Sequence, residues 1–86
     1  MAPEIKPLSE KARSVRLGIY KHFKGDLYRV IGVGRLSEAR DQELVVYQSV
    51  KYGFIWLRPL DMFLEHVDRD GYKGPRFSFI KEETTI

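Results

Sequence analysis

Glu43-Leu44-Val45-Val46-Tyr47-Gln48-Ser49-Val50 is the stretch that decides the fold. Its nearly continuous apolar character, rich in β-branched and aromatic side chains, predicts a central strand covered on both faces. Working downstream, Tyr52-Gly53 turns the chain into a strand at Phe54–Arg58, and Pro59 ends that strand because it cannot donate to a ladder. A single helical turn is expected at residues 60–63, then a short strand at Leu64–Val67. Asp70-Gly71 reads as a turn, and Arg76–Ile80, just after Pro75, reads as the closing edge strand.

Upstream, the polar residues Ala39–Gln42 read as a loop. A strand from Leu27 to Ser37 contains Gly32 and Gly34, which leave one face bare and predict a bulge or sharp bend. Lys24-Gly25-Asp26 supplies a turn before it, and Ile19–Phe23 forms the first strand. Residues 1–17 hold Pro3 and Pro7 and read as a flexible arm with at most one or two helical turns, for which Ser9 is the candidate cap. The fold class is therefore mainly β: a small twisted antiparallel barrel or roll, SH3-like, with one helical turn near residues 59–63. The arm is 1–17, the domain 18–80 and the tail 81–86.

Composition narrows the functions. With 86 residues, 43% of them hydrophobic, the chain suits one packed core and not two. No cysteine is present, so neither a disulfide nor a thiolate nucleophile is available. That, with no apolar N-terminal run resembling a signal peptide, predicts the cytoplasm. Apolar runs such as Leu44–Tyr47 are far too short for a membrane-spanning helix.

The net charge of +3 invites a nucleic-acid reading, but its distribution weakens it. The arm alone sets Lys6, Lys11, Arg13 and Arg16 against Glu4 and Glu10, while residues 18–80 are nearly balanced. Within the domain, Lys21, Lys24, Arg29 and Arg35 outnumber Asp26 in residues 19–35, and Asp61, Glu65, Asp68 and Asp70 outnumber Arg69 in residues 59–70. Either a dipolar surface or two strands that pair and neutralise each other would explain the separation, and strand pairing is the favoured expectation.

Several motifs resemble those of a known family. They are Gly18-Ile19-Tyr20-Lys21-His22-Phe23-Lys24-Gly25, Tyr28 with Val30, Val45-Val46-Tyr47-Gln48, Tyr52-Gly53, Trp56-Leu57-Arg58-Pro59-Leu60-Asp61-Met62-Phe63 and Pro75-Arg76-Phe77. In order and spacing these resemble the small bacterial domain of unknown function DUF1653, over residues 18–80. The resemblance implies a stand-alone β domain that also occurs fused to others, and it carries no established activity. One departure is Leu36, which stands before Ser37-Glu38 where members commonly have histidine.

Trp56 and Arg58 alternate onto one face of their strand, where an aromatic plane beside a guanidinium can stack a ring and clamp a phosphate or carboxylate. Tyr20 and His22 share a face of the first strand, as Tyr47 does with Val45 and Ser49. If these strands are neighbours, His22, Tyr47, Gln48, Trp56 and Arg58 line a polar-aromatic cleft. The competing reading packs Trp56 into the core and pairs Arg58 internally with Asp61 or Glu38.

The expected function is a small binding or accessory module that recognises a small ligand or peptide through these residues. An alternative is a nucleic-acid-binding small barrel using Lys21, Lys24, Arg29 and Arg35 on phosphates. A second alternative is a small enzyme acting through His22 with Glu38 or Asp61. No residue is assigned as catalytic, since the serines sit in no nucleophile elbow. His22 and His66 with scattered carboxylates make no metal motif, and Gly32-Val33-Gly34 is no phosphate loop, so neither metal nor cofactor is expected. The charged tail and Pro75 guard the closing edge, which favours a monomer.

Overall fold

Val45 is 0% exposed, and with Tyr47 and Ser49 it makes one fully buried face on the long strand that the sequence singles out. The computed structural model describes residues 6–83. Pro3 and Glu4 of the arm, and the tail beyond Glu83, lie outside the described residues. In chain order the elements are helix α1 (Glu10–Ser14), β1 (Gly18–His22), β2 (Leu27–Leu36), β3 (Ala39–Ser49), β4 (Ile55–Pro59), helix α2 (Leu60–Phe63), β5 (His66–Arg69), β6 (Tyr72–Pro75) and β7 (Phe77–Lys81).

Five strands form one antiparallel sheet in the order β4-β3-β2-β1-β7, and β5 and β6 form a separate two-stranded ribbon. The outer strands β4 and β7 are not joined, so the domain is an open roll and not a closed barrel. No helix among the described residues is long and apolar enough to cross a membrane.

Several local expectations shift. Residues 39–42 belong to β3 and not to a loop: they extend the β2–β3 hairpin beyond the core, where Arg40, Asp41 and Gln42 are exposed and polar side chains suit the solvated strand. Only one face of β3 is fully covered, because Leu44, Val46 and Gln48 on the other are half-buried. The bend expected at Gly32 is present as a register shift between Val30 and Gly32. The strand after α2 starts later than expected, at His66, because Leu64 caps the helix. β6 is hidden in the sequence by Gly74 and Pro75, which lower strand propensity but sit at the end of a short ribbon. Its turn is legible: Asp70 and Gly71 both have positive φ, 55° and 77°, as a two-residue hairpin requires.

The basic and acidic segments do not pair as strands, since β1 and β2 pair with each other and β5 pairs with β6. Acids are met instead by Lys11–Asp61 at 3.6 Å and Arg76–Glu65 at 3.0 Å.

The inner face of the roll closes over the aromatic core. Phe63, brought in by α2 after Pro59 ends β4, is 2% exposed and stacks on Phe77 of β7 with ring centroids 4.4 Å apart. Tyr20 meets Phe63 edge-on at 5.4 Å, and its hydroxyl donates to the Arg16 carbonyl at 2.7 Å. The arm joins this core through Ala12 of α1, which is 3% exposed. Ser9 caps α1 by accepting from the Ala12 N–H, and donates from its own N–H and hydroxyl to Glu43 of β3 at 2.8 and 2.6 Å. Those bonds hold the Glu43 carboxyl below its ordinary pKa.

Two substitutions test the packing. Phe63→Ala removes the centre of the aromatic stack and is expected to cost about 3–5 kcal/mol, read as a fall in the urea midpoint. Gly18 has φ 144°, and a Cβ there would collide with the Lys81 carbonyl oxygen. Gly18→Ala therefore combines backbone strain with a clash against β7 and should cost more than about 1 kcal/mol. A Gly18→Ala protein as stable as the wild type would refute this close approach of β1 and β7.

Candidate functional site

Directly opposed residues on antiparallel strands share a face, so strand register decides which side chains can meet. Tyr47 opposes Trp56, and Val45 opposes Arg58, across β3 and β4. Tyr47 also opposes Val30 on β2, whose face is shared by Tyr28, and Tyr28 opposes Tyr20 on β1. His22, two residues beyond Tyr20, opposes Phe77 on β7. This chain of pairings carries one face across all five strands. His22, Tyr28, Tyr47, Trp56, Arg58 and Phe77 accordingly line a single concavity of about 180 Å³.

Four of the five residues expected at a ligand site therefore come together: His22, Tyr47, Trp56 and Arg58. Gln48 does not. As the neighbour of Tyr47 it points to the opposite face, where it donates to the Gly53 carbonyl at 2.9 Å and accepts from Arg29 at 3.5 Å. Tyr28 and Phe77 complete the lining, and sequence reasoning passes over them as site residues. Both stand in the motifs that carry the family resemblance, but only the register shows that they face His22 and Tyr47.

The competing internal roles for Trp56 and Arg58 are not what the structure holds. Trp56 is 52% exposed and lies outside the core, because β4 is an edge strand with no neighbour beyond it. Arg58 Nε donates to the Tyr47 hydroxyl at 3.1 Å, and its guanidinium lies 5.8 Å from the Phe77 ring centroid. Neither Asp61 nor Glu38 reaches it: Asp61 pairs with Lys11, and Glu38 sits exposed in the β2–β3 turn. Those two carboxylates are likewise absent from the lining around His22.

The His22 ring is 5.0 Å from Phe77 and 4.6 Å from Phe23. The Lys24 N–H donates to its Nδ1 at 3.1 Å, so the neutral ring carries its proton on Nε2. Burial lowers its pKa below the ordinary imidazole value, and the charges of Arg58, Arg76 and Lys24 lower it further, with Asp26 opposing them. Burial, then the charges of Asp26 and the neighbouring Tyr47, raises the pKa of Tyr28, against a smaller lowering by Arg58, so its hydroxyl stays a donor.

The four cations considered for nucleic acid do not share one surface. Lys21 and Arg29 lie on the outer face by register, Lys24 is in the hairpin turn, and Arg35 near the far end of β2 donates to the Lys6 carbonyl. Arg29 is already paired with Glu83 at 2.5 Å.

A larger concavity of about 310 Å³, lined in part by Asp41, Glu43 and Asp61, contains none of the expected site residues. Among the described residues no group of three His, Cys, Asp or Glu is placed to hold a metal ion, and His66 is exposed on β5.

Comparison with known proteins places these observations in a family. The family described as "Protein of unknown function (DUF1653)" matches residues 18–79. The solved crystal structure of a DUF1653 protein from Bordetella bronchiseptica is 32% identical, superposes with a TM-score of 0.73, and covers 87% of this chain and 99% of its own. No curated protein matches the sequence.

The electrostatics make His22 a measurable probe of the site. Its folded pKa is depressed, so as pH falls below about 6.5 the unfolded chain takes up the proton first. The contribution of His22 to stability is thus intact above that pH and declines below it. Ring NMR signals should titrate below the ordinary histidine midpoint, and Arg58→Gln should raise that midpoint. A midpoint unmoved in Arg58→Gln would mean that the Arg58 charge does not act on the ring.

Proposed function

Because this chain belongs to the DUF1653 family, whose function is unknown, we propose from the site itself that it is a small cytoplasmic binding module holding part of a small ligand or peptide in the concavity of its curled sheet. The observation that carries this reading is convergence. Side chains from all five strands of one sheet, His22, Tyr28, Tyr47, Trp56, Arg58 and Phe77, meet at a single open concavity. Four of them are Tyr, Trp or Phe, whose rings supply large contact area.

Two of the lining residues are placed to meet a ligand. Trp56 is half exposed on the edge strand, and Arg58 is held over the aromatic wall by its bond to the Tyr47 hydroxyl. Tryptophan, tyrosine and arginine are the residue types enriched among those that dominate binding energy at interfaces.

Chemical-shift mapping of the labelled protein against fragments and short peptides should concentrate perturbations on the Trp56 indole, His22 and Tyr28. Trp56→Ala should weaken binding about tenfold or more while leaving the urea midpoint nearly unchanged. Perturbations that avoid all three residues would sink the proposal.

A further inference from the structure

Resting on the reading of this concavity as a binding site, we infer that the group it receives is an oxyanion at one end of a larger ligand, a carboxylate or phosphate that completes the hydrogen bonding of Arg58. The capacity left open in the concavity is of donor type. Arg58 uses Nε on Tyr47, and among the described residues its two terminal nitrogens have neither a hydrogen-bond partner nor an acid in ion-pair contact. His22 accepts at Nδ1, and its Nε2–H has no acceptor among the described residues. The Tyr28 hydroxyl has no partner among the described residues either, and burial keeps it protonated.

None of these groups is sealed away. Among the described residues, the buried side-chain polar atom that lacks a partner is Nε of Arg76, which does not line the concavity.

Charge points the same way. Among the described residues no carboxylate lines this concavity, whereas three line the larger one. Arg16, Arg29 and Arg76 are matched by Glu82, Glu83 and Glu65; Arg35, Arg40 and Arg69 are, like Arg58, in no ion pair among the described residues, but of these unpaired arginines Arg58 is the one that lines the concavity. Arg58, half-buried among rings, is left for an acid that the chain does not supply. A guanidinium with a free fork is suited to two parallel bonds to a carboxylate or phosphate.

The size sets how much of the ligand enters. About 180 Å³ is smaller than sites that enclose whole ligands, which are roughly 300–1,000 Å³. The concavity therefore takes an end group, and Trp56 at its exposed rim is available to stack on the adjoining part of the ligand.

Three probes separate the chemistry: benzoate, phenyl phosphate and the neutral isostere benzamide, each titrated into labelled full-length protein. Benzoate or phenyl phosphate should shift the His22, Tyr28 and Trp56 signals, and the tighter of the two identifies the source of the oxyanion. Benzamide should bind about ten- to hundredfold more weakly, and Arg58→Gln should lose a similar factor for the anions. Arg40→Gln, an equal charge change on the solvated end of the hairpin, should keep wild-type affinity.

A second readout needs no variant. Around His22 stand Arg58 of β4, Arg76 before β7, Lys24 and Asp26 of the β1–β2 turn, and Tyr28 of β2. An anion placed among these cations should raise the His22 titration midpoint. Benzamide binding as tightly as benzoate, or a His22 midpoint unmoved by saturating anion, overturns the oxyanion assignment and leaves the binding module standing. If no probe, fragment or peptide perturbs the concavity, both fall.

Discussion

Phe77 packs on both the core and the site, and it holds the open sheet in its curl. One side of its ring stacks on Phe63 in the core, and its edges meet Tyr47, Tyr28 and His22 at 5.3, 5.8 and 5.0 Å. The same side chain is therefore core and site wall. It also ties the two ends of the sheet together, since β7 is an outer strand and α2, which supplies Phe63, comes directly after β4 at the other edge. An open sheet that does not close by hydrogen bonds is curled by side-chain packing instead. Aromatic pairs of this geometry contribute about 0.5–1.5 kcal/mol beyond burial, a useful fraction of the stability of a domain this small.

That curl explains why the concavity is polar at its rim and aromatic within. Alternation along each strand delivers every second residue to the inner face, and register then aligns those residues across strands. The chain spends most inward positions on core side chains and leaves His22, Trp56 and Arg58 where the sheet opens. The Lys11–Asp61 and Arg16–Glu82 pairs lie on the outside, where solvent screens them, and they contribute little to stability. No acid of these pairs lines the concavity, where Arg58, His22 and Tyr28 leave donors open.

Much of the fold is legible in the chain, for identifiable reasons. The strand character of Val45–Ser49, the helical turn after Pro59 and the Asp70-Gly71 turn arise from local chemistry that tertiary contacts do not override. Residues 39–42 read as a loop because a hairpin arm solvated on both sides has loop-like composition, while its hydrogen bonds come from a partner strand that composition does not reveal. The placement of Ala12 in the core is also invisible, because a single alanine in a polar segment carries no signal of what it packs against.

A mainly β domain, its turns, the alternation that puts Trp56 and Arg58 on one face, and the family to which the motifs point are all legible in the chain. These are properties of neighbours in the chain, set by side-chain branching, glycine and proline. The tertiary structure decided which faces meet: that Gln48 turns away, that Tyr28 and Phe77 enter, that Trp56 is exposed at an open edge, and that Arg58 leans on Tyr47 and finds no acid among the described residues. Register across five strands and the curl imposed by one aromatic stack are long-range constraints, and a one-residue slip in any strand would have sent a different set of side chains inward.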